Sequence, residues 1–262
     1  MLQVSKIHRN KWAFDKDEKK YDYVKSAYFQ NFDDQHKDLK ILRDFFDYLE
    51  AEDFYRYSKH YYRYLSTMAS LAKFLPDDPD AIFIETGGAS PISEFLSAER
   101  QCYKTTTDLR LEIDAEDDSA DIIFSFEVLE HIKDKPEKSF DEVVLFRGSG
   151  VQQFAAEVHR VLKPGGLFIM TTPNPCSCVV FERFLEGKPP MVFRPHVREY
   201  TRDEILEIFQ QLNLVHHTTL FNFFNLGDSG KKVIQQIQQL GGSTENRGDD
   251  HFFVLEKAAN GS

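Results

Sequence analysis

Cysteine is scarce in this sequence, and the few cysteines are not spaced like a disulfide framework. The 262 residues include three, at Cys102, Cys176 and Cys178. Small secreted domains held together by disulfides carry a larger, even number at regular spacing. We interpret the closely spaced pair as structural rather than as half of a zinc site. The cysteine content therefore favours a reducing compartment.

Long apolar runs are also missing. No stretch approaches the roughly 18 consecutive apolar residues that a membrane-spanning helix needs. The first residues, MLQVSKIHRNKWAFDKDEKK, contain no uninterrupted apolar segment of the kind found in a signal peptide. We expect a cytoplasmic protein with no membrane partner.

Positive charge is in deficit. Lysine and arginine together number 32 against 43 aspartates and glutamates, which gives a formal net charge of −11. This charge disfavours nonspecific binding to nucleic acid or to an anionic membrane. We therefore expect a small-molecule substrate and no nucleic-acid partner, and we leave open whether the chain forms a homo-oligomer.

Apolar and aromatic residues are plentiful enough for a folded core. Hydrophobic residues make up 41% of the chain, and the 24 phenylalanines and 11 tyrosines are a high share. The segment 1–78 reads as helical, because DLKILRDFFDYL and YYRYLSTMASLAKFL repeat apolar residues at spacings of three and four. PDDPD, at 76–80, then breaks the pattern. We predict a helical cap or lid over 1–78 and a second domain over 79–262.

Strand and helix signals alternate along this second domain, which is typical of an α/β sheet with helices on both faces. Ser90 and Pro91 predict a helix start, and Thr201 with Glu204 forms a capping-box pattern. The last two apolar segments are predicted to pair as antiparallel edge strands. The segments are AIFIE, SPISEFLSAE, CYKTTTD, DIIFSF, VQQFAAEVHRVL, LFIMTT, TRDEILEIFQQLN, LVHHTTLFNFF and DHFFVLEK.

A turn of small residues, IETGGASP, follows the first of these strands. Small residues at such a turn let a ligand approach the backbone closely. Asp108 follows Glu85 by 23 residues (108 − 85) and ends the next strand. In a nucleotide-binding α/β fold, an acid at this place lies beside the turn and accepts hydrogen bonds from a ribose diol.

Three longer segments give the chain a family resemblance: DAEDDSADIIFSFEVLEHIKD, EVHRVLKPGGLFIMTTPNP and HVREYTRDEILEIFQQLNL. Over roughly 81–257 the sequence resembles the class I S-adenosylmethionine-dependent methyltransferases, most tellingly at RVLKPGG and TTPNP. The resemblance implies a Rossmann-like mixed sheet of about seven strands in the order 3-2-1-4-5-7-6, with the last strand antiparallel. It also implies S-adenosylmethionine as cofactor.

The resemblance also assigns the cofactor-binding residues. It implies that Glu85, Gly87 and the neighbouring backbone of the turn hold the methionine and ribose, and that Asp108 binds the ribose hydroxyls. Ser125 and Phe126 would form the floor of the pocket. The neighbouring turn residues are Thr86, Gly88 and Ala89.

The sequence departs from the family in three places. Ala89 and Pro91 replace two of the usual glycines. Only LRLEI separates Asp108 from Asp114, which is too short for the usual second helix and third strand. We leave open whether the sheet keeps that edge strand. Leu109 and Asp114 are then candidates to line the adenine pocket. The connection over 133–150 is lengthened. We leave open whether it forms a loop over the active site or an oligomer contact.

SFEVLEHIKD places two acids and a histidine behind an apolar strand. On a helix that begins near Glu127, positions i, i+3 and i+4 share a face, so Glu127, Glu130 and His131 could converge on one point. Carboxylate and imidazole together suit a divalent metal. The alternative is that the acids merely complement the dipole of a helix N-terminus.

His196, in FRPHVREYT, favours the metal interpretation. E-x-x-E-H with a downstream histidine resembles the metal-dependent small-RNA 2′-O-methyltransferases and, less closely, the ubiquinone-pathway O-methyltransferases. The resemblance implies Glu127, Glu130, His131 and His196 as ligands. Mn²⁺ or Mg²⁺ would be the first choice, with Fe²⁺ or Zn²⁺ as alternatives.

The sequence thus predicts an O-methyltransferase that acts on a small polar metabolite or sugar derivative and is assisted by a divalent metal. A metal-free enzyme with His131 or His196 as general base is the first alternative. A catalytically silent, methyltransferase-like binding subunit is the second.

Overall fold

The structure is a computed structural model of the chain. It describes residues 5–6, 37–51, 58–135, 148–190, 193, 195–221 and 228–259. Most of the lengthened connection predicted over 133–150 lies outside the described residues. Among the helices that these ranges contain, none combines the length and the apolar character needed to cross a membrane.

Seven strands form one mixed sheet in the order β1-β3-β2-β4-β5-β7-β6. Four of them, β3, β2, β4 and β5, run parallel to one another, while β7 is antiparallel to both β5 and β6. The predicted Rossmann-like class and its reversed strand near the edge are confirmed. The strands are β1 Ser5–Lys6, β2 Ile82–Glu85, β3 Gln101–Lys104, β4 Ala120–Phe126, β5 Leu162–Pro173, β6 Asn213–Leu220 and β7 Asp250–Glu256.

The position of the predicted missing strand is taken by the N-terminus. Ser5 pairs with Lys104 and Lys6 with Tyr103, so that β1 lies antiparallel to β3. No helix or strand separates β3 from β4, as the short LRLEI segment predicted. The outer edge of β3 would otherwise present unpaired backbone groups. Strand β1, which is distant in sequence, pairs with these groups in place of the usual strand.

Seven α-helices accompany the sheet within the described residues. The predicted caps are present: Ser90 accepts from the Ser93 amide at 3.4 Å, and Thr201 and Glu204 form the capping box. Sequence reasoning missed α5 and α7, which pack together through Phe181, Val233 and other apolar residues. The helices are α1 Lys37–Ala51, α2 Ser58–Leu71, α3 Pro91–Leu96, α4 Ser149–Val161, α5 Cys178–Leu185, α6 Arg202–Ile208 and α7 Asp228–Gln239.

Two apolar layers cover the two faces of the sheet. On one face, α1 and α2 contribute Phe45 and Met68 to a cluster that also contains Phe124 of β4. On the other, Phe154 of α4 packs against Phe168 of β5. The described helices of segment 1–78 therefore share a core with the sheet. Their predicted role as a lid remains a prediction.

Gly150, in the first turn of α4, provides a test of this packing. A Cβ built on Gly150 would lie 1.8 Å from the backbone carbonyl oxygen of Lys133. Alanine normally favours a helix over glycine by about 1 kcal/mol, but here overpacking should dominate, and Gly150→Ala should lower the free energy of unfolding by about 1–3 kcal/mol. Urea unfolding measures the change. Gln152→Ala, exposed on the same helix, should change it by less than about 0.5 kcal/mol, and a stabilised Gly150→Ala would contradict the structure.

Two histidines on β6 and β7 should make the fold sensitive to acid. His217 Nε2 lies 3.1 Å from His251 Nδ1. Burial, with the nearby positive charge of Arg202 adding to it, lowers the pKa of His217 to about 4 and that of His251 to about 3. In the unfolded chain the histidine pKa values are near 6.5, so between about pH 6.5 and pH 4 the unfolded chain binds more protons than the folded protein. Stability should therefore fall as the pH drops from about 6.5 toward 4.

The double variant H217N/H251N cannot titrate at these positions. We expect its urea midpoint to fall less than that of the wild type between pH 7 and pH 4.5. Equal losses in the two proteins would show that these histidines do not contribute to the acid sensitivity.

Candidate functional site

The carboxyl ends of the parallel strands and the start of the reversed strand meet at one edge of the sheet. Glu127 follows β4, and its amide donates to the Thr171 carbonyl of β5 at 3.0 Å. Pro173, at the end of β5, pairs with Asp250, the first residue of β7. Ligands of open α/β sheets bind at this edge, so the predicted site residues should lie close to it.

A cleft of about 510 Å³ opens beside the glycine turn. Of the ten residues predicted to bind the cofactor, four line it: Gly87, Gly88, Asp108 and Leu109. His131 lies on its opposite wall, which brings the cleft next to the predicted metal residues. The remaining lining residues are Lys104, Thr105, Thr106, Thr107, Arg110, Val128, Ile132 and Lys133.

The glycine turn is held from behind by Glu85 and Thr86. The buried Glu85 carboxylate accepts from the Ser90 amide at 2.8 Å and from the Ser93 hydroxyl, so it braces the start of α3. Burial raises its pKa to about 7, against the effect of these hydrogen bonds. Thr86 donates to the Phe124 carbonyl. These two residues shape the turn but do not line the cleft.

The glycines themselves are required by conformation. Gly87 and Gly88 have φ of +80° and +131°, which side chains rarely adopt. A Cβ on Gly87 would also lie 2.6 Å from the side chain of Val128, another lining residue. Ala89, which replaces a family glycine, is exposed, so its methyl group does not crowd the turn.

Asp108 lies at the cleft, but its carboxylate has a partner. The Arg110 guanidinium donates to both of its oxygens, at 2.9 Å from Nε and 2.6 Å from Nη2. These bonds lower the pKa of Asp108. Arg110 also donates to the Asp134 carbonyl at 3.3 Å. A ribose bound by Asp108 would have to share or displace this arginine.

Three further predicted cofactor residues do not line the cleft. Asp114 is bound by Thr106 and Thr107, with the Thr106 hydroxyl at 2.6 Å. Ser125 is fully buried, and its hydroxyl has no hydrogen-bond partner. Phe126 stacks on Phe124 with ring centroids 5.4 Å apart.

The predicted helix starting near Glu127 is wrong. Glu127 has φ of +58°, in the left-handed region, and only Leu129–His131 form a short 3₁₀ turn. The Glu127 amide remains hydrogen-bonded to β5, so the chain changes direction between Glu127 and the 3₁₀ turn. The i, i+3, i+4 alignment of an α-helix is therefore absent, and the carboxylate of Glu127 pairs with Arg63 instead.

Glu130, His131 and His196 do converge. One ligand atom from each lies within 4.8 Å of the others. Glu130 Oε1 is 3.9 Å from the Nε2 atoms of both histidines. His196 is placed by two contacts, because its Nδ1 lies 2.8 Å from Glu199 and the next amide, of Val197, donates to the Glu130 carbonyl at 2.8 Å.

Glu130 has an unusual electrostatic environment for an acid. Glu130 is 1% exposed, Oε2 accepts from the Thr172 hydroxyl at 2.9 Å, and Oε1 has no hydrogen-bond partner. Burial, reinforced by the charge of Glu127, raises the pKa of Glu130 to about 8. Burial and the neighbouring His196 lower the pKa of His131. The histidine is therefore neutral near pH 7, when imidazole can bind a metal or accept a proton.

Glu127 belongs to a different set of contacts. Its carboxylate pairs with Arg63 of α2 at 3.2 Å. Asp250 is buried nearby, and its pKa is raised well above the ordinary value by burial first and by the charge of Glu127 second.

Sequence reasoning missed four residues of this edge: Arg63, Thr172, Glu199 and Asp250. Asp250 had a usable signal, because the first residue of a strand that runs antiparallel to its neighbours lies at their carboxyl ends. Glu199 stands three residues after His196, but no pattern marks it. Arg63 reaches the site from a segment that carries no catalytic pattern.

Comparisons with known proteins agree with this architecture. A family described as a methyltransferase domain matches residues 5–219. A Mycolicibacterium smegmatis protein described as "Probable S-adenosylmethionine-dependent methyltransferase" is 28% identical over 116 residues, which are 44% of this chain. The matched segment spans 37% of that relative's length.

Solved structures of methyltransferases are also similar to the chain. A chain from a complex with the Haloferax volcanii Trm112 methyltransferase activator has 13% identity and a TM-score of 0.48, covering 84% of this chain and 99% of its own. An Archaeoglobus fulgidus S-adenosylmethionine-dependent methyltransferase has 12% identity and a TM-score of 0.46, covering 78% and 100%. Such identities and scores carry no information on substrate or partner. The family match over most of the sequence does establish membership: the chain belongs to the methyltransferase domain family, in agreement with its resemblance to the class I S-adenosylmethionine-dependent methyltransferases.

Proposed function

We propose that the protein transfers the methyl group of S-adenosylmethionine to an oxygen of a small polar metabolite or sugar derivative, with a divalent metal held by Glu130, His131 and His196. The observation that carries the proposal is the convergence of these three side chains at the carboxyl edge, next to the cleft that Gly87 and Asp108 line.

The side chains present fit a metal. Bonds of about 2.0–2.2 Å from one ion put its ligand atoms within about 4.4 Å of one another, and Glu130 Oε1 is 3.9 Å from both Nε2 atoms. This oxygen is buried and has no hydrogen-bond partner. A cation would satisfy it, and one carboxylate with two imidazoles suits Mn²⁺ or Mg²⁺ as well as Fe²⁺ or Zn²⁺. Glu127, whose Oε2 pairs with Arg63, lies outside this group of ligand atoms.

The contacts around the cluster have clear roles in this proposal. A bound divalent ion would act as a Lewis acid that lowers the pKa of the acceptor hydroxyl. Glu199 would accept a hydrogen bond from Nδ1–H of His196, which leaves Nε2 facing Glu130 as the ligand atom. Thr172 fixes the other carboxylate oxygen. The glycine turn and Asp108 hold the methyl donor beside this point, so that positioning supplies much of the catalysis.

A metal-free mechanism has one observation in its favour. The lowered pKa of His131 leaves its imidazole unprotonated near pH 7, as a general base requires. In that case Glu130 would orient the histidines, and its replacement would affect the rate much less than replacement of His131.

Metal binding can be measured directly. We expect Mn²⁺, followed by electron paramagnetic resonance, to bind the wild type, and E130Q and H196A to weaken binding by at least about tenfold, because each removes one of three ligands. E127Q should retain its affinity within about twofold, since Glu127 pairs with Arg63. An equal loss in E127Q would support the four-residue set that the sequence suggested.

Activity gives the second readout of the metal. Formation of S-adenosylhomocysteine with a panel of hydroxylated acceptors should be lost in excess EDTA and restored by Mn²⁺ or Mg²⁺. Full activity in EDTA, with H131A inactive and E130Q active, would replace the proposal by the metal-free mechanism.

Cofactor binding tests the assigned role of Asp108. Asp108→Asn removes the charge that would bind the ribose hydroxyls, and hydrogen bonds to charged groups contribute about 1.5–3 kcal/mol. We expect calorimetry to show about 10–100-fold weaker binding of S-adenosylhomocysteine. Asp203→Asn is the matched control, because Asp203 also pairs with an arginine but lies outside the cleft lining. Failure of the wild type to bind at millimolar ligand would favour the catalytically silent subunit.

A further inference from the structure

A second group of charged side chains lies at the same edge of the sheet. Arg63 and Glu127 form an ion pair at 3.2 Å, and their side chains are 17% and 14% exposed. Asp250 begins β7 and is 3% exposed. Glu127 Oε2 accepts from Arg63, whereas Glu127 Oε1 and Asp250 Oδ2 are buried and have no hydrogen-bond partner among the residues that the structure describes. We call Arg63, Glu127 and Asp250 the acidic subsite.

The unpartnered atoms define what the acidic subsite lacks. Both are carboxyl oxygens, which in the ionised state only hydrogen-bond donors or a cation can satisfy. Arg63 pairs with Glu127 and also interacts electrostatically with Asp250, so one positive charge faces two acids. One negative charge is therefore left without a counterpart when both acids are ionised. Buried polar atoms are nearly always paired, and an unpaired buried charge is costly.

We propose that the acidic subsite binds a protonated amino group of the substrate, so that the methyl acceptor is a hydroxylated amine. Its ammonium would donate to Glu127 and Asp250 and supply the missing positive charge. The ammonium serves as an anchor, whereas the methyl group goes to a hydroxyl of the same molecule. This inference rests on the proposed function only in taking the bound compound to be the methyl acceptor.

The position of the subsite suits an anchor. Glu127 is three residues from Glu130, and Asp250 pairs with Pro173, next to the Thr172 that holds Glu130. The anchor and the metal residues therefore share one edge but are separate sets of atoms. The partial exposure of Arg63 and Glu127 provides the route from solvent.

A second metal ion fits these residues less well. The subsite offers two acids, whereas Glu130, His131 and His196 bring three ligand side chains together. Arg63 also occupies one oxygen of Glu127 and would repel a divalent cation, whereas an ammonium can add its hydrogen bonds to the remaining oxygens.

The test uses two monovalent cations and the full chain. Ethanolammonium has N–H donors, while tetramethylammonium has the same charge and none. Thermal unfolding is followed with each chloride salt at 200 mM in the presence of EDTA, at equal ionic strength. If ethanolammonium binds with a dissociation constant near one tenth of its concentration, it should raise the midpoint by about 2–4 °C more than tetramethylammonium.

Variants assign this difference to the subsite. D250N and E127Q should each abolish it, whereas E130Q, in the metal cluster, and E245Q, on the exposed loop before β7, should retain it. Equal midpoints with the two cations in the wild type would overturn the inference, and so would a difference that survives in D250N and E127Q. Since the assay contains neither methyl donor nor metal, its failure leaves the proposed methyl transfer untouched, and loss of that activity would not alter this result.

Discussion

The burial of one acid, Glu130, is the constraint on which the edge of the sheet depends. Its carbonyl accepts from Val197, its carboxylate accepts from Thr172, and its free oxygen faces two histidines. These contacts join the turn after β4, the end of β5 and the segment before α6, which are far apart in sequence. A buried carboxylate without this arrangement would destabilise the fold. The contacts of Glu130 that position these three segments therefore also bring it together with the two histidines.

A single backbone angle divides the acids of SFEVLEHIKD between two sites. On an α-helix, Glu127 and Glu130 would lie on one face. The left-handed conformation of Glu127 instead sends its side chain to Arg63, on the face covered by α1 and α2, while Glu130 stays with the histidines. Two neighbouring carboxylates can thus meet different parts of one ligand. The spacing of residues in a motif does not reveal this division, because it assumes a helix that does not form.

Much of the fold could be predicted because its signals are local. Ser90, Pro91 and Thr201 mark helix starts by interactions within four residues, and the apolar runs that form the central strands are continuous. The convergence of Glu130, His131 and His196 could be anticipated from the rule that parallel strands present their carboxyl ends at one edge. The pairing of Ser5 with Lys104 and the reach of Arg63 into the site could not, since they join residues far apart in sequence without any repeating pattern. Asp108 is a third case. It lies at the cleft, as expected, but nothing in the sequence indicated that Arg110 would pair with its carboxylate.

The strand β1 has a consequence for how the molecule behaves in a crowded solution. A sheet with a bare outer strand offers its backbone as a template on which another chain can add a strand, and such edges promote aggregation. Here two residues from the N-terminus occupy that position on β3. The fold lost the strand that normally protects this side, and a short piece of distant chain performs the protection instead. Removal of those residues would leave the catalytic edge intact and yet make the protein prone to self-association.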